Sequence, residues 1–405
     1  MSHINYFSIF AITNNTTAVH IVFHYNSLSF IILICFLFCL FLQLLYHWAF
    51  FSRVAFYKKK NAVKTDDELE PVSVVICARD AYEYLVDILS ALLNQDYPDY
   101  EIVIVNDCSE DETEEFLKNI ERKEPKIKAV QLRQHLNFFN GKKFPLSMGI
   151  KSASNDLLVL TDCNCMPNND QWLRSVVECY KTHTEVVIGY SPYVRRKTLF
   201  NKLIRFDALR QGMFYLSAAL SKHPYMGVGK NLSYRKELFY RNKGFTSHYT
   251  TSVGDDDIFI SQVATKKNTE VLIDANNIIT TAAPNNFRLW MRQKSSRYST
   301  FSHYKMGTKM SQCVFLWSQF LFYASFIALF CMPPAFSSAW GSVVYYSILL
   351  VLFLLRYGTQ LFIYHKASLK LGEKGLLSGL FFYDLFFTFM TPLLRLMGRM
   401  NIGVE

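Results

Sequence analysis

From Met1 to Ser52 the chain carries no lysine, arginine, aspartate or glutamate, and Phe30–Phe51 is a continuous apolar run broken only by Gln43 and His47. A helix needs about 20 apolar residues to cross the hydrocarbon core of a bilayer. A segment at about 28–51 therefore meets the length for a transmembrane helix, and any fold must leave it a lipid or protein face. A cleaved signal peptide fits poorly, because the run starts late and no basic stretch precedes it. Arg53, Lys58, Lys59, Lys60 and Lys64 follow at once. By the positive-inside rule this flank is cytoplasmic and the amino terminus lies outside.

Three further apolar stretches fill the C-terminal part: about Cys313–Phe336, Val343–Tyr364 and Leu376–Leu396. The loop between the first two carries no charge, whereas the next carries Lys366, Lys370, Glu373 and Lys374. That asymmetry puts the first loop outside and the second inside, as a cytoplasmic central domain requires. The last stretch holds Asp384 and Pro392 and is followed by Arg399, so it either spans or lies at the interface as an amphipathic or re-entrant helix. Arg356 interrupts the second stretch. An ionisable group at that depth is costly unless paired; Asp384 is the evident partner, and a water-filled cavity or the protein interior is the alternative. The chain divides into an N-terminal segment (1–52), a basic and polar linker (53–70), a central domain (71–304) and a C-terminal membrane region (305–405). Two or three C-terminal helices are too few around so large an insert for a transporter.

The 43 basic and 33 acidic residues leave a net charge of +10. A membrane surface and phosphate-bearing substrates account for that excess; no nucleic-acid motif accompanies it. Nine cysteines include no C-x-x-C pair, which reads as free thiols in a reducing compartment.

The central domain is organised around Leu157–Pro167, an apolar strand ending in Asp162, with Asn164 two residues on. Residues two apart in a strand share a face, and open α/β sheets place ligands at the carboxyl ends of their strands. Oxygen ligands there suit a hard divalent cation; a plain turn after a buried strand is the simpler reading. Upstream, Val72–Ala78 and Ile102–Val105 read as buried parallel strands, Lys126–Leu132 as a third, with helices over Tyr82–Leu93 and Glu110–Ile120 between them. This alternation predicts a parallel sheet covered on both faces. Gly141-Lys142-Lys143 opens a helix, Glu185–Gly189 is a short strand, and Thr198–Leu220 is expected as a long amphipathic helix. The glycines of Gly227-Val228-Gly229 permit close approach of backbone to a ligand. Asp255-Asp256-Asp257 repel one another, so they favour a cation, a basic partner or a raised pKa on one of them; Asp is also favoured at a helix N-terminus. Trp290–Tyr298 is basic and aromatic and precedes the membrane stretches.

Taken together, the motifs between Pro71 and Tyr304 resemble those of membrane-embedded family 2 glycosyltransferases of the GT-A fold. Pro71–Tyr84 resembles the family's first strand and nucleotide loop. Leu92–Asp111 (LLNQDYPDYEIVIVNDCSED) is very similar to its second strand and Asp-Asp-x-Ser turn, Gly141–Ile150 to its Gly-Lys helix start, and Thr161–Pro167 to its Asp-x-Asp metal motif. The resemblance implies a Rossmann-like, nucleotide-diphospho-sugar transferase domain held between an N-terminal transmembrane helix and two or three C-terminal membrane helices. It implies that Asp107, Ala78, Arg79 and Asp80 contact the nucleoside and that Lys142, Gly229 and Asn231 line the donor site. Asp162 with Asn164 would face a diphosphate bound to Mg²⁺ or Mn²⁺. Asp256 would be the general base on the acceptor hydroxyl, beside Asp255. Gln293 and Arg297 would belong to the family's Gln-x-x-Arg-Trp element.

Such a protein would be an integral membrane, metal-dependent enzyme of a bacterial inner membrane, inverting the anomeric centre, with a lipid-linked or glycan acceptor. Three positions depart from the pattern. The metal motif is Asp-Cys-Asn, and Asn106 replaces the first of the usual Asp pair. Counted without a gap from Gln293, Ser296 takes the Arg position and Arg297 the Trp position. The weakened last motif favours single addition over a processive polysaccharide synthase. A third reading, a catalytically silent homologue that binds nucleotide sugar as a scaffold, is motivated by the same departures and opposed by the retained acidic cluster.

Overall fold

In a computed structural model of the chain, residues 5–8, 22–25, 27–59, 64–133, 141–249, 251, 253–336 and 339–400 are described. The rest of the N-terminal segment, linker residues 60–63 and loop residues 337–338 lie outside them. Strands β1 (Asn5–Ser8) and β2 (Val22–Tyr25) precede helix α1 (Ser27–Leu45), which continues through a π-helical turn into α2 (Ser52–Ala55). The central domain then runs β3 (Val72–Ala78), α3 (Tyr82–Leu93), β4 (Tyr100–Asp107), α4 (Thr113–Glu121), β5 (Ile127–Leu132), α5 (Lys143–Ser152), β6 (Leu157–Asp162) and β7 (Cys165–Pro167). It continues with α6 (Trp172–Val177), β8 (Val186–Gly189), α7 (Leu199–Leu220), β9 (Leu232–Arg235), α8 (Lys236–Arg241), α9 (Asp257–Val263), β10 (Thr269–Leu272), β11 (Ile279–Thr281) and α10 (Phe287–Ser299). The chain ends in α11 (Met306–Cys331), β12 (Ala335–Phe336), α12 (Ala339–Lys370) and α13 (Leu380–Arg399).

Seven strands form one sheet in the order β10-β8-β9-β6-β3-β4-β5. All neighbours are parallel except β9, which is antiparallel to β6 and β8. The central strands have apolar residues on both faces, as a doubly covered parallel sheet needs. Val74 and Ile76 pack with Leu85, Ile88 and Trp172 on one side, and Val75 packs with Ile150, Leu209 and Met213 on the other. Each fully buried aliphatic side chain of this kind contributes roughly 1.5–3 kcal/mol. A small antiparallel pair, β7 with β11, lies beyond the end of β6.

Helix α7 does not have the expected amphipathic character. Its buried residues, among them Asn201, Ile204, Arg205, Phe206, Asp207, Leu209, Arg210 and Met213, lie on several sides. It sits between the sheet and the membrane helices, and its charges are paired inside: Arg205 with Glu373 at 2.5 Å and Asp207 with Lys294.

Among the described residues, four helical segments are long and apolar enough to cross a membrane: Ser27–Ala55, Met306–Cys331, Trp340–Lys370 and Leu377–Arg399. The first C-terminal one starts earlier than its apolar run, because its first turns, with Lys309, are helical before they are apolar. Arg356 pairs with Asp384 at 3.0 Å, both side chains being at most 3 % exposed. Tyr323, Gln360 and Gln319 also donate to the Asp384 carboxylate, and Gln43 Oε1 accepts from Arg356. One polar network thus joins α1, α11, α12 and α13. All nine cysteines are free.

Candidate active site

The carboxyl ends of β3, β4 and β6 lie side by side, Ala78 opposite Asn106 and Cys77 opposite Asp162. Ala78 is buried, and Arg79 and Asp80 lie exposed in the loop that follows. The loops after β3 and β4 are laced together. The Asp80 N–H donates to Ser109 Oγ at 3.0 Å, and Asp80 Oδ1 accepts from the Glu110 N–H at 2.8 Å. Asp80 and Cys108 have left-handed backbones (φ 46° and 52°), which turn the chain sharply beside Asp107. Asn106, the first departure from the Asp pair, is buried and donates to Gln131 Oε1 at 2.7 Å while accepting from the Ser109 N–H. Its amide thus shapes the turn and leaves Asp107 at the strand end. The structure brings Ala78, Arg79, Asp80 and Asp107 together at these neighbouring ends.

Next to them is a cleft of about 330 Å³ lined by Cys77, Lys142, Asp162, Gly229, Asp255 and Asp256 among others. Lys142 Nζ donates to Asp162 Oδ1 at 2.7 Å. Burial alone would raise the Asp162 carboxyl, but Lys142, Lys230 and Arg297 hold it below the ordinary aspartate range. The Lys142 ammonium, though desolvated, is held above the lysine range by Asp162 and Asp255. Burial and the neighbouring Asp256 push Asp255 up to about 7 and Asp257 to about 6.

The acidic cluster is set by Gly254, whose φ of +107° places an added Cβ 2.4 Å from the Ile258 side chain, so only glycine fits. Asp256 caps α9: its Oδ1 accepts from the Asp257 N–H at 2.7 Å and its Oδ2 from the Gly229 N–H at 2.9 Å. The helix-terminus reading of the cluster thus holds for Asp256, whose side chain also lines the cleft. Asp257 points elsewhere, accepting from Thr300 and Tyr304 in the interior. Lys143 holds the loop before the cluster, donating to Thr251 Oγ1 and the Val253 carbonyl, each at 2.9 Å. Burial pushes its amine down to about 8.

Helix α10 brings Arg297 to 3.9 Å from Asp256 Oδ2. Gln293 is not brought to the cleft: its side chain is exposed, while Lys294 is buried against Asp207 and Gln211. Shifting the register by one residue puts Lys294 at the Gln position and Arg297-Tyr298 at the Arg-Trp positions, so the last motif is weakened less than the ungapped count implies. Asn164 is also out of place. The strand stops at Asp162, Cys163 and Asn164 form a turn, and the same-face argument lapses. Asn164 is absent from the cleft lining. Asn231 is 3 % exposed; its amide accepts from Trp172 Nε1 at 3.2 Å and donates to the Tyr190 carbonyl at 2.9 Å. It is a packing residue in this structure. Asn231→Ala is expected to lower stability by about 1–3 kcal/mol through the two groups left unpaired, with nucleotide affinity unchanged in the folded fraction. A tenfold weaker nucleotide affinity by calorimetry would return it to the donor site.

Sequence reasoning passed over Lys230 and Lys294. Lys230 lies 4.8 Å from the centre of the Tyr193 ring, and its charge reaches Asp162. The available signal was its position directly after Gly229.

Carboxylates and lysines gathered at the carboxyl ends of a parallel sheet, with one antiparallel strand inserted, define the nucleotide-sugar transferase class of GT-A fold. Two family descriptions match, Glycosyl transferase family 2 over residues 73–242 and Glycosyl transferase family group 2 over residues 172–364. The chain belongs to the family 2 glycosyltransferases. It is 29 % identical over 106 residues to an uncharacterized glycosyltransferase of Haemophilus influenzae, covering 26 % of this chain and 31 % of that one. It is 27 % identical over 150 residues to a poly-beta-1,6-N-acetyl-D-glucosamine synthase of Staphylococcus epidermidis, covering 37 % and 35 %. The chain thus spans about a third of the length of these curated relatives. Among solved structures, the mannosyltransferase PcManGT from Pyrobaculum calidifontis, in complex with GDP-Man and Mn²⁺, superposes with a TM-score of 0.55 at 16 % identity, over 85 % of this chain and 98 % of that one. At that identity the likeness is one of fold.

Proposed function

We propose that the protein is a membrane-bound, inverting glycosyltransferase that moves a sugar from a nucleotide-diphosphate donor to a lipid-linked or membrane-associated glycan acceptor. We place the site on the cytoplasmic face of a bacterial inner membrane. The observation that carries this reading is the single cleft that holds Lys142, Asp162, Asp255 and Asp256 together, with Arg297 beside Asp256. The nucleoside would rest against Ala78, Arg79, Asp80 and Asp107. The diphosphate would meet Lys142 and Lys230. Asp256 would take the acceptor proton as the acceptor oxygen attacks the anomeric carbon. The bond to the diphosphate oxygen would break in the same step, its electron pair leaving with the nucleoside diphosphate. A single direct displacement inverts the centre. The N–H groups of Gly229 and Asp257 would fix the orientation of the base.

A divalent cation fits the oxygen donors of the cleft. Among the described residues no set of three His, Cys, Asp or Glu side chains could hold an ion alone, so the donor diphosphate would complete the shell with Asp162. Bound there, Mg²⁺ or Mn²⁺ would supply positive charge to the leaving diphosphate. With Asn164 in the turn outside the cleft, Asn164→Asp is expected to be tolerated.

Nucleotide release from UDP-, GDP- and dTDP-sugars, measured on detergent-purified protein with Mg²⁺ or Mn²⁺ and a membrane-lipid extract, tests the reading. Metal-dependent release with one donor, lost in Asp162→Ala, is expected. Tight binding of a donor without turnover, with every acceptor extract, would favour the silent scaffold. The name of the Staphylococcus relative supports a processive reading; product length in the same assay separates one added sugar from a polymer.

A further inference from the structure

Helix α5 opens with two adjacent lysines that reach different parts of the site. Successive side chains of a helix diverge by about 100°. Lys142, at the N-cap, turns to Asp162 at the end of β6. Lys143, the first residue of the helix, turns to the loop before the acidic cluster. It is fully buried, and a cation at a helix N-terminus meets the positive end of the dipole. Burying an ammonium is costly unless its three N–H groups find acceptors. Here they find the Thr251 carbonyl, Thr251 Oγ1 at 2.9 Å and the Val253 carbonyl at 2.9 Å. Burial works against the charge, and the carboxylates of Asp255, Asp257 and Asp256 work for it.

The other bonds of this loop are local. The Thr251 N–H donates to the His248 carbonyl at 3.2 Å, and the Nε2–H of His248 donates to the Gly254 carbonyl at 2.8 Å. Among the described residues, the Lys143 ammonium is the one hydrogen-bonding group that reaches Thr251, Val253 and Gly254 from another element. Gly254 then turns, with φ +107°, directly into Asp255 and Asp256. The Asp256 carboxylate is therefore fixed on one side by the Gly229 N–H and on the other through a loop tethered to α5. The helix that sends the tether is itself immobile. A Cβ added at Gly149 would fall 2.6 Å from the Val75 side chain and 2.9 Å from that of Val105. Helix α5 thus lies tight against β3 and β4, the strands that end in Ala78 and Asp107.

We propose that Lys143 is a positioning residue, tying the loop of Asp255 and Asp256 to the helix turn that presents Lys142 to Asp162, and so keeping the base in register with the donor diphosphate. This rests on the reading of Asp256 as the base. Lys143 meets no substrate atom itself; it acts through the loop. A reacting group misplaced by about 1 Å can cost about 10²-fold in rate, the scale on which a single buried tether counts.

The test is Lys143→Met in the full-length protein in neutral detergent, since methionine fills the space of the stem and removes the donors. Hydrogen exchange in peptides covering 253–260 is expected to quicken by about tenfold or more, with peptides covering 72–78 and 100–107 unchanged. Sugar transfer, with the donor found in the nucleotide-release assay, is expected to fall by about 10²-fold. Affinity for the nucleoside diphosphate is expected to stay within about threefold, as for a loss confined to the reacting geometry. In an Asp256→Asn background the same change is expected to lower transfer by less than about threefold further, because residues that act as a unit are not additive. Full multiplication of the two losses would mark a general role in folding and overturn the proposal, and unchanged exchange over 253–260 would overturn it equally. If Lys143→Met loses nucleotide affinity, Lys143→Gln, which keeps two N–H donors, carries the same comparison; quickened exchange throughout the domain in both variants also counts against the proposal. Wild-type protein that transfers no sugar would sink the transferase reading, and the exchange result would still decide whether Lys143 holds the loop.

Discussion

Asp256→Asn is expected to lower the rate of sugar transfer by about 10²–10⁴-fold, the usual contribution of a general base, and to leave nucleotide affinity close to that of the parent, since the proposed base would meet the acceptor and not the nucleotide. The substitution keeps the shape of the side chain. An amide oxygen still accepts one of the two N–H groups that hold Asp256, from Asp257 or Gly229, so the turn before α9 survives. What is lost is the ability to accept a proton. Ala78, Asp80 and Asp107, proposed to meet the nucleoside, stand at the ends of β3 and β4, whose loops are joined by the bonds of Asp80 to Ser109 and Glu110. The check is kcat at saturating donor beside a calorimetric titration with the nucleoside diphosphate. Parallel loss of both would make Asp256 a structural or metal-binding residue.

Asp384→Leu is expected to destabilise the protein by about 3–5 kcal/mol, the range for removing one partner of a buried ion pair. Arg356 would keep Tyr323, Gln360 and Gln43 as neutral partners but would have no counter-charge at a depth where water cannot replace it. Gln319, Gln360 and Tyr323 would lose a shared acceptor at the same time. The double variant Arg356→Met/Asp384→Leu removes both charges and is expected to recover much of the loss. Thermal unfolding in one detergent, followed on both variants and the parent, decides. Equal stability of the single variant and the parent would show that the network carries no net weight.

Strands β3, β4 and β6 were legible because buried parallel strands are almost purely apolar and end abruptly in Ala78-Arg79-Asp80, Asp107 and Asp162. The pairing of Arg356 with Asp384 was legible because a charge in an apolar run needs a partner and few were available. Strand β9 was not: Leu232–Arg235 is short, alternates Ser233 with apolar neighbours, and owes its place to β6 and β8, far away in sequence. Lys294 escaped notice because a lysine on a basic helix reads as solvated. Its burial depends on Asp207, a carboxylate supplied by a helix that itself looked amphipathic. Asn231 and Asn164 stand away from their expected places for opposite reasons. One is a polar residue satisfied inside the fold, and the other follows a strand that stops one step earlier than strand alternation required.

Helix α10 carries Arg297 toward Asp256 on one side and is pressed against α13 on the other. At Gly398 an added Cβ would fall 2.7 Å from the Ser295 carbonyl oxygen and 2.9 Å from the Ser299 nitrogen. The apolar core continues from Val75 and Leu160 in the sheet through Trp290 to Tyr364, Phe387 and Leu394 in the membrane region. The segment 71–304 is consequently no detachable part: cut free, it would bare α7 and one side of α10 to water. Joined to helices that cross a membrane as proposed, it would hold the Asp256 carboxylate at a fixed height over the bilayer. On the proposed function, reach would then become a criterion of selection, since an acceptor would have to present its hydroxyl at that height as well as match the cleft in shape and charge.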